Sequence, residues 1–231
     1  MTCRSSSIGT GSVVPRRAPG TGWWVGMVVL IGIVLVYAGI RVVEDWPAIA
    51  AGLLPPPETY QHRYVAHPAL AYLHILPGVI YLLGAPLQLS RRFRERHFTL
   101  HRRLGRVLLA AGLGSGVYAL LFGWMHSYGG VAQALATALF GGGFVTSLGV
   151  AFVAIKRGDV TRHRRWMIRA FALGLAVGTI RIWIGLLQGF ALLSLPASFT
   201  AAFWVAFTMH AVAAELYLWW RPGQRGSAEP R

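Results

Sequence analysis

Three polar side chains interrupt long apolar runs of the chain: His74, Tyr118 and Arg181. Ionisable groups are costly in such surroundings, so each is a candidate site. Counted at 1.5 Å per residue from the arginine-rich ends of their runs, all three lie at a depth of roughly 22 Å. If those runs are neighbouring helices, an imidazole, a phenol and a guanidinium meet in one pocket, with Arg181 as the anchor for an anion. No acidic residue falls at its depth, so something else must compensate the charge. Such a site would bind or transport an anionic or lipid ligand; the competing reading is that Arg181 snorkels outward and His74 is capped by a backbone carbonyl, in a structural membrane protein without a ligand.

A second cluster lies at the other end of the runs. Arg106 and Arg169 stand about one turn inside their helices and Glu215 at a comparable depth, so a Glu–Arg pair holding the bundle together is the plainer reading. His101-Arg102 and His163-Arg164 stand at the same boundary and suit lipid phosphates, which Arg side chains and helix N-terminal N–H groups both favour. A b-type haem is an alternative, held by a pair among His74, His101, His163 and His210. His101 and His163 match in depth, whereas His74 and His210 differ by roughly 7 Å along the membrane normal. His210, alone near the middle of its run, reads as an interhelical hydrogen-bond partner.

Other chemistries lack their residues. His-Glu-x-x-His, the phosphate loop, the nucleophile elbow and the dinucleotide fingerprint are all missing, and no metal site is expected. One cysteine, Cys3, excludes intramolecular disulfides, Cys-x-x-Cys redox chemistry and c-type haem attachment.

The elements that must position these residues are set by composition. Of 231 residues, 55% are hydrophobic and 13% charged, about half the charge of a soluble domain (roughly 25%). Six apolar runs, 23–43, 68–89, 104–124, 130–155, 166–189 and 198–219, are each long enough to cross a bilayer as a helix. None alternates as a barrel strand would. The expected fold is an all-α integral membrane protein, a bundle of about six transmembrane helices. Residues 1–22 read as a disordered tail, 23–43 as the first transmembrane helix, 44–67 as an external loop, 68–219 as a five-helix membrane domain and 220–231 as a second tail. The first run exceeds the 7–15 residues of a signal-peptide core, so an uncleaved anchor is expected.

The net charge of +15 comes from 22 Lys+Arg against 7 Asp+Glu. The arginines gather in the N-terminal tail and in the loops around Arg91 and Lys156, while the loops around Ser127 and Ser194 carry no Lys or Arg. That asymmetry places both termini in the cytoplasm. It also removes nucleic acid as the reason for the charge and leaves the bilayer, an anionic ligand or lipid head groups as partners. A repeat supports the registration: Gly112 and Gly116 follow His101 by 11 and 15 residues, and Gly174 and Gly178 follow His163 by the same offsets. Such spacing lets helix backbones approach closely.

The order His74, Gly84, Gln88, His101-Arg102, Gly105-Arg106, His163-Arg164, Trp166-Met167-Ile168-Arg169 and Arg181 resembles the bacterial membrane-protein family known as domain of unknown function 2306, over roughly residues 68–190. The resemblance implies a multi-helix plasma-membrane protein without an assigned activity. It adds weight to His74, His101, Arg102, His163, Arg164, Arg169 and Arg181 as the residues to test.

Overall fold

The computed structural model describes residues 21–190 and 193–220. The expected tails, with Cys3 and the N-terminal arginines, lie outside the described residues, apart from Thr21 and Gly22, which are helical, and Trp220. The described residues form eight helices: α1 (Thr21–Ala51), α2 (Tyr60–Ala66), α3 (Pro68–Leu89), α4 (Arg91–Arg96), α5 (Phe98–Met125), α6 (Gly130–Lys156), α7 (Val160–Gly189) and α8 (Leu195–Trp219). Six of them, α1, α3, α5, α6, α7 and α8, are long and apolar enough to cross a membrane, and no strand occurs among the described residues. Large apolar side chains such as Val29, Leu83, Val107 and Leu139 stay exposed on the outer faces, where lipid replaces water.

The segment 44–67, expected as a loop, is mostly helical. The first helix continues through Glu44 and Asp45 to Ala51, because Arg41 pairs with both acids one turn on. It stops at Gly52, whose φ of 67° lies in the left-handed region that glycine tolerates. Thr59 then caps α2 by accepting a hydrogen bond from the His62 amide at 3.3 Å.

Short connections make successive long helices run antiparallel. Helices α3, α5, α6 and α7 follow one another around a core, α1 lies along α7 and α3, and α8 covers α7 and α6. The matched glycines explain the closeness. A Cβ on Gly112 would fall 2.9 Å from the Tyr81 ring, and one on Gly174 would fall 3.3 Å from its other edge. Tyr81 of α3 therefore sits between the two repeat helices, edge-on to Phe144 of α6. The second glycines diverge: Gly116 meets Val145 and Phe144, whereas a Cβ on Gly178 would stand 2.6 Å from the Leu30 carbonyl oxygen of α1. This close approach brings α1, and Tyr37 on it, against α7.

Candidate functional site

One end of the bundle carries the Arg-rich connections around Arg91 and Asp159 and is called the basic end. The opposite, far end holds α2, the α5–α6 turn and the start of α8. His74 of α3 and Arg181 of α7 lie toward the far end, within electrostatic reach of one another. Ser115 of α5 holds the imidazole: its carbonyl accepts from Nδ1 at 3.0 Å, and its hydroxyl donates to the His74 carbonyl at 2.8 Å. A carbonyl only accepts, so Nδ1 carries the proton and Nε2 is left with its lone pair. Tyr118, the third member of the expected trio, is half-buried and makes no side-chain hydrogen bond among the described residues.

Rings, in place of Tyr118, surround Arg181. Its guanidinium lies 5.1 Å from the Tyr37 ring centroid and 6.0 Å from that of Phe199. The hydroxyls of Tyr60 and Tyr64 are its nearest polar company. These two phenols, one turn apart on α2, hydrogen-bond to each other. Burial pushes the Tyr64 hydroxyl well above its ordinary range, so it stays a neutral phenol and lends no counter-charge. Arg181 forms no ion pair among the described residues.

On the other side of the tyrosine pair stands Arg41, 5.4 Å from each ring centroid. It is neutralised where Arg181 is not. Its Nη1 lies 3.2 Å from Asp45, a fully buried carboxylate that also accepts from Tyr72 at 3.1 Å. Glu44 forms a second ion pair with Arg41, and Gln61 of α2 ties down the Glu44 carbonyl at 2.6 Å. The tyrosine pair thus has two guanidiniums around it, and the carboxylates of Glu44 and Asp45 both serve Arg41.

At the basic end, Arg169 and Glu215 form a two-pronged pair, Nε to Oε1 at 2.5 Å and Nη2 to Oε2 at 2.9 Å. Arg106 is exposed and outside this pair. Arg102 is exposed above the Phe98 ring at 6.0 Å, and Arg164 is half-buried near the start of α7. His101 and His163 come within electrostatic reach. His163 Nδ1 donates to the Ala151 carbonyl at 2.9 Å, whereas His101 Nδ1 is buried without a partner among the described residues, as is Gln88 Nε2. The Gln88 amide rests on the bare backbone of Gly105, where a Cβ would come within 3.2 Å of it. His210 shares a 2.8 Å hydrogen bond between its Nε2 and Thr179 Oγ1, which occupies the nitrogen a haem iron would need.

Residues 71–218 match the family described as predicted membrane protein, DUF2306. The chain belongs to this family. No curated protein and no solved structure matches it. Within the DUF2306 region fall His74, Ser115, Arg181, Phe199 and the Arg169–Glu215 pair. Tyr37, Arg41, Asp45, Tyr60 and Tyr64 precede it. Three of the four aromatic residues around the DUF2306 arginine are therefore contributed by the N-terminal segment. Asp45, Tyr60 and Tyr64 were missed in the sequence because 44–67 read as a loop, and Tyr37 and Arg41 because the first helix read as a plain anchor. The signals were present in the Arg41/Asp45 spacing and in the Tyr60/Tyr64 pair one turn apart, just after a capping Thr59.

Proposed function

We propose that this membrane protein binds an anionic ligand at its far end, with Arg181 as the anchor and His74, Tyr60 and Tyr64 as hydrogen-bonding neighbours. The observation that carries this reading is Arg181 caged by rings and neutral phenols, with no carboxylate of its own. Each ring contact is worth ~0.5–2 kcal/mol. Holding an uncompensated charge away from water costs several kcal/mol, so about two rings do not close the gap and an anion would. His74 makes its hydrogen bonds through Nδ1 and lies within electrostatic reach of Arg181, so in its protonated form Nε2 would add a second donor. The distribution of arginine over the connections supports a plasma-membrane location with both termini cytoplasmic, which makes the far end the outer half of the membrane.

The test is native mass spectrometry of the purified protein, comparing the wild type with Arg181→Gln and Arg181→Lys. Wild-type protein should carry a co-purifying anionic adduct, an anionic lipid or a small oxyanion. Arg181→Gln should lose it, and Arg181→Lys should keep part of it. The same adducts on all three proteins would sink the assignment.

A second reading is supported by the imidazoles at the basic end. A b-type haem would take His101 and His163, since His163 keeps Nε2 free by donating Nδ1–H to Ala151, the usual arrangement of a ligating histidine. An absorption spectrum before and after dithionite separates the two readings. A Soret band with sharp reduced α and β bands, lost in His163→Ala, would favour haem, and a featureless spectrum removes it.

A further inference from the structure

A cleft of about 270 Å³ opens at the far end between α2 and the turn joining α5 to α6, lined by His62, Arg63, His67, His126 and Ser127. None of its lining residues is acidic. It is separate from the Arg181 cage, because α2 presents Tyr60 and Tyr64 to Arg181 and other faces to the cleft.

Each lining group is held in place. Arg63 donates to the Thr59 carbonyl at 2.9 Å and lies 4.7 Å above the Tyr128 ring, yet it has no ion pair among the described residues. His62 donates Nδ1–H to the Pro55 carbonyl at 2.7 Å, which leaves Nε2 unclaimed. His67 and His126 stack face to face, centroids 3.7 Å apart and planes 19° from parallel. The rings present faces to each other, not converging nitrogen lone pairs, so the pair is not arranged to chelate a metal. Stacked imidazoles resist carrying two charges, and a bound anion is what would relieve that resistance.

We propose that this cleft is a binding site for a phosphate-type oxyanion, with Arg63 supplying the permanent charge and the His126 imidazole, stacked on the His67 ring, taking up a proton as the anion binds. The charged and titratable groups around it are His62 and Arg63 on α2, His67 at the α2–α3 junction, His126 at the end of α5 and Tyr128 in the α5–α6 turn. Glu58, just before α2, makes no ion pair with them. Uptake of about half a proton on average across the range, by the imidazole, contributes a roughly tenfold tightening between pH 7.5 and 5.5.

The test is isothermal titration calorimetry of the intact protein with inorganic phosphate at pH 7.5 and 5.5, in phosphatidylcholine nanodiscs and in nanodiscs containing phosphatidic acid. The expected result is phosphate binding in phosphatidylcholine discs whose gain in affinity from pH 7.5 to 5.5 exceeds that of His126→Gln by roughly tenfold, since the variant retains only the titration of phosphate itself. Arg63→Gln should lose binding at both values, and Arg63→Lys should retain part of it. Competition in the phosphatidic acid discs would identify a lipid head group as the natural source, and unchanged binding would identify free phosphate; both support the site. The proposal falls if phosphate fails to bind at either pH in phosphatidylcholine discs, if wild type and His126→Gln respond to pH alike, or if Arg63→Gln titrates as wild type.

Discussion

Arg169 and Arg181 sit on the same helix, 12 residues and about 18 Å apart, and their surroundings differ in kind. Arg169 lies over the Trp166 ring at 4.6 Å and completes a two-pronged pair with Glu215 across the α7–α8 seam. That guanidinium has its counter-charge inside the protein, and the pair reads as a fastener. Arg181 also meets rings, but its polar neighbours are neutral phenols. An arginine with a carboxylate is finished, and one with only rings and hydroxyls is open to an anion. The comparison locates function by what is left uncompensated, a criterion independent of any motif.

The largest expected effect comes from breaking the far end without touching its polar groups. Gly178→Leu drives a side chain into the Leu30 backbone, which is not free to yield as a side chain would. Helix α1 must move off α7 and take Tyr37 away from Arg181. A stability loss of about 3 kcal/mol is expected, read as a lower melting temperature in detergent together with loss of the anionic adduct. Gly114→Ala on α5, which meets nothing within 4 Å, is the matched control and should be silent. A silent Gly178→Leu would show that α1 does not build the cage.

Next in size is Asp45→Asn, which leaves Arg41 with Glu44 alone. Removing one partner of a largely buried pair costs ~3–5 kcal/mol, and the remaining acid should hold the loss to about 2 kcal/mol. Arg41 would then join Arg181 as an under-compensated guanidinium beside the tyrosine pair, so adduct retention should rise relative to wild type in protein that stays folded. A fall in retention would mean that Asp45 positions the tyrosines more than it balances charge.

A smaller effect sharpens the contrast between the two arginines. Arg169→Lys loses the two-pronged geometry of a partly exposed pair and should cost about 1 kcal/mol or less. It should leave the far-end ligand in place. Arg181→Lys keeps the charge and loses the planar donor fork, so it should lower ligand retention with little change in melting temperature. Equal behaviour of the two variants would remove the distinction.

The transmembrane bundle was legible because span length and charge asymmetry are properties of continuous segments. The depth match of His74 and Arg181 was legible for the same reason. The cage was not, since Tyr37, Tyr60, Tyr64 and Phe199 come from three elements and no local period joins them. Tyr118 shows the limit from the other direction. Equal depth places a residue at the right height, but helix rotation decides which way it faces, and Ser115, three residues earlier, is the one that reaches His74.

The smallest effect is set by pH and distinguishes the far end from the basic end once more. Burial first, then His67 and Arg63, hold the His126 imidazole below its ordinary value of 6.5. The unfolded chain therefore binds its proton at a higher pH than the folded protein does. The stability this group lends is complete above about 6.5 and is lost as pH falls toward the lowered value. In phosphate-free buffer the melting temperature should drop between pH 7.5 and 5.0 by ~2 °C or less through this group, and His126→Gln should flatten that part of the profile. Added phosphate should reverse the trend, because an anion in the cleft favours the protonated ring. Ion pairs such as Arg91–Glu95 at the basic end gain nothing from phosphate, so a reversal that survives His126→Gln would place its origin elsewhere.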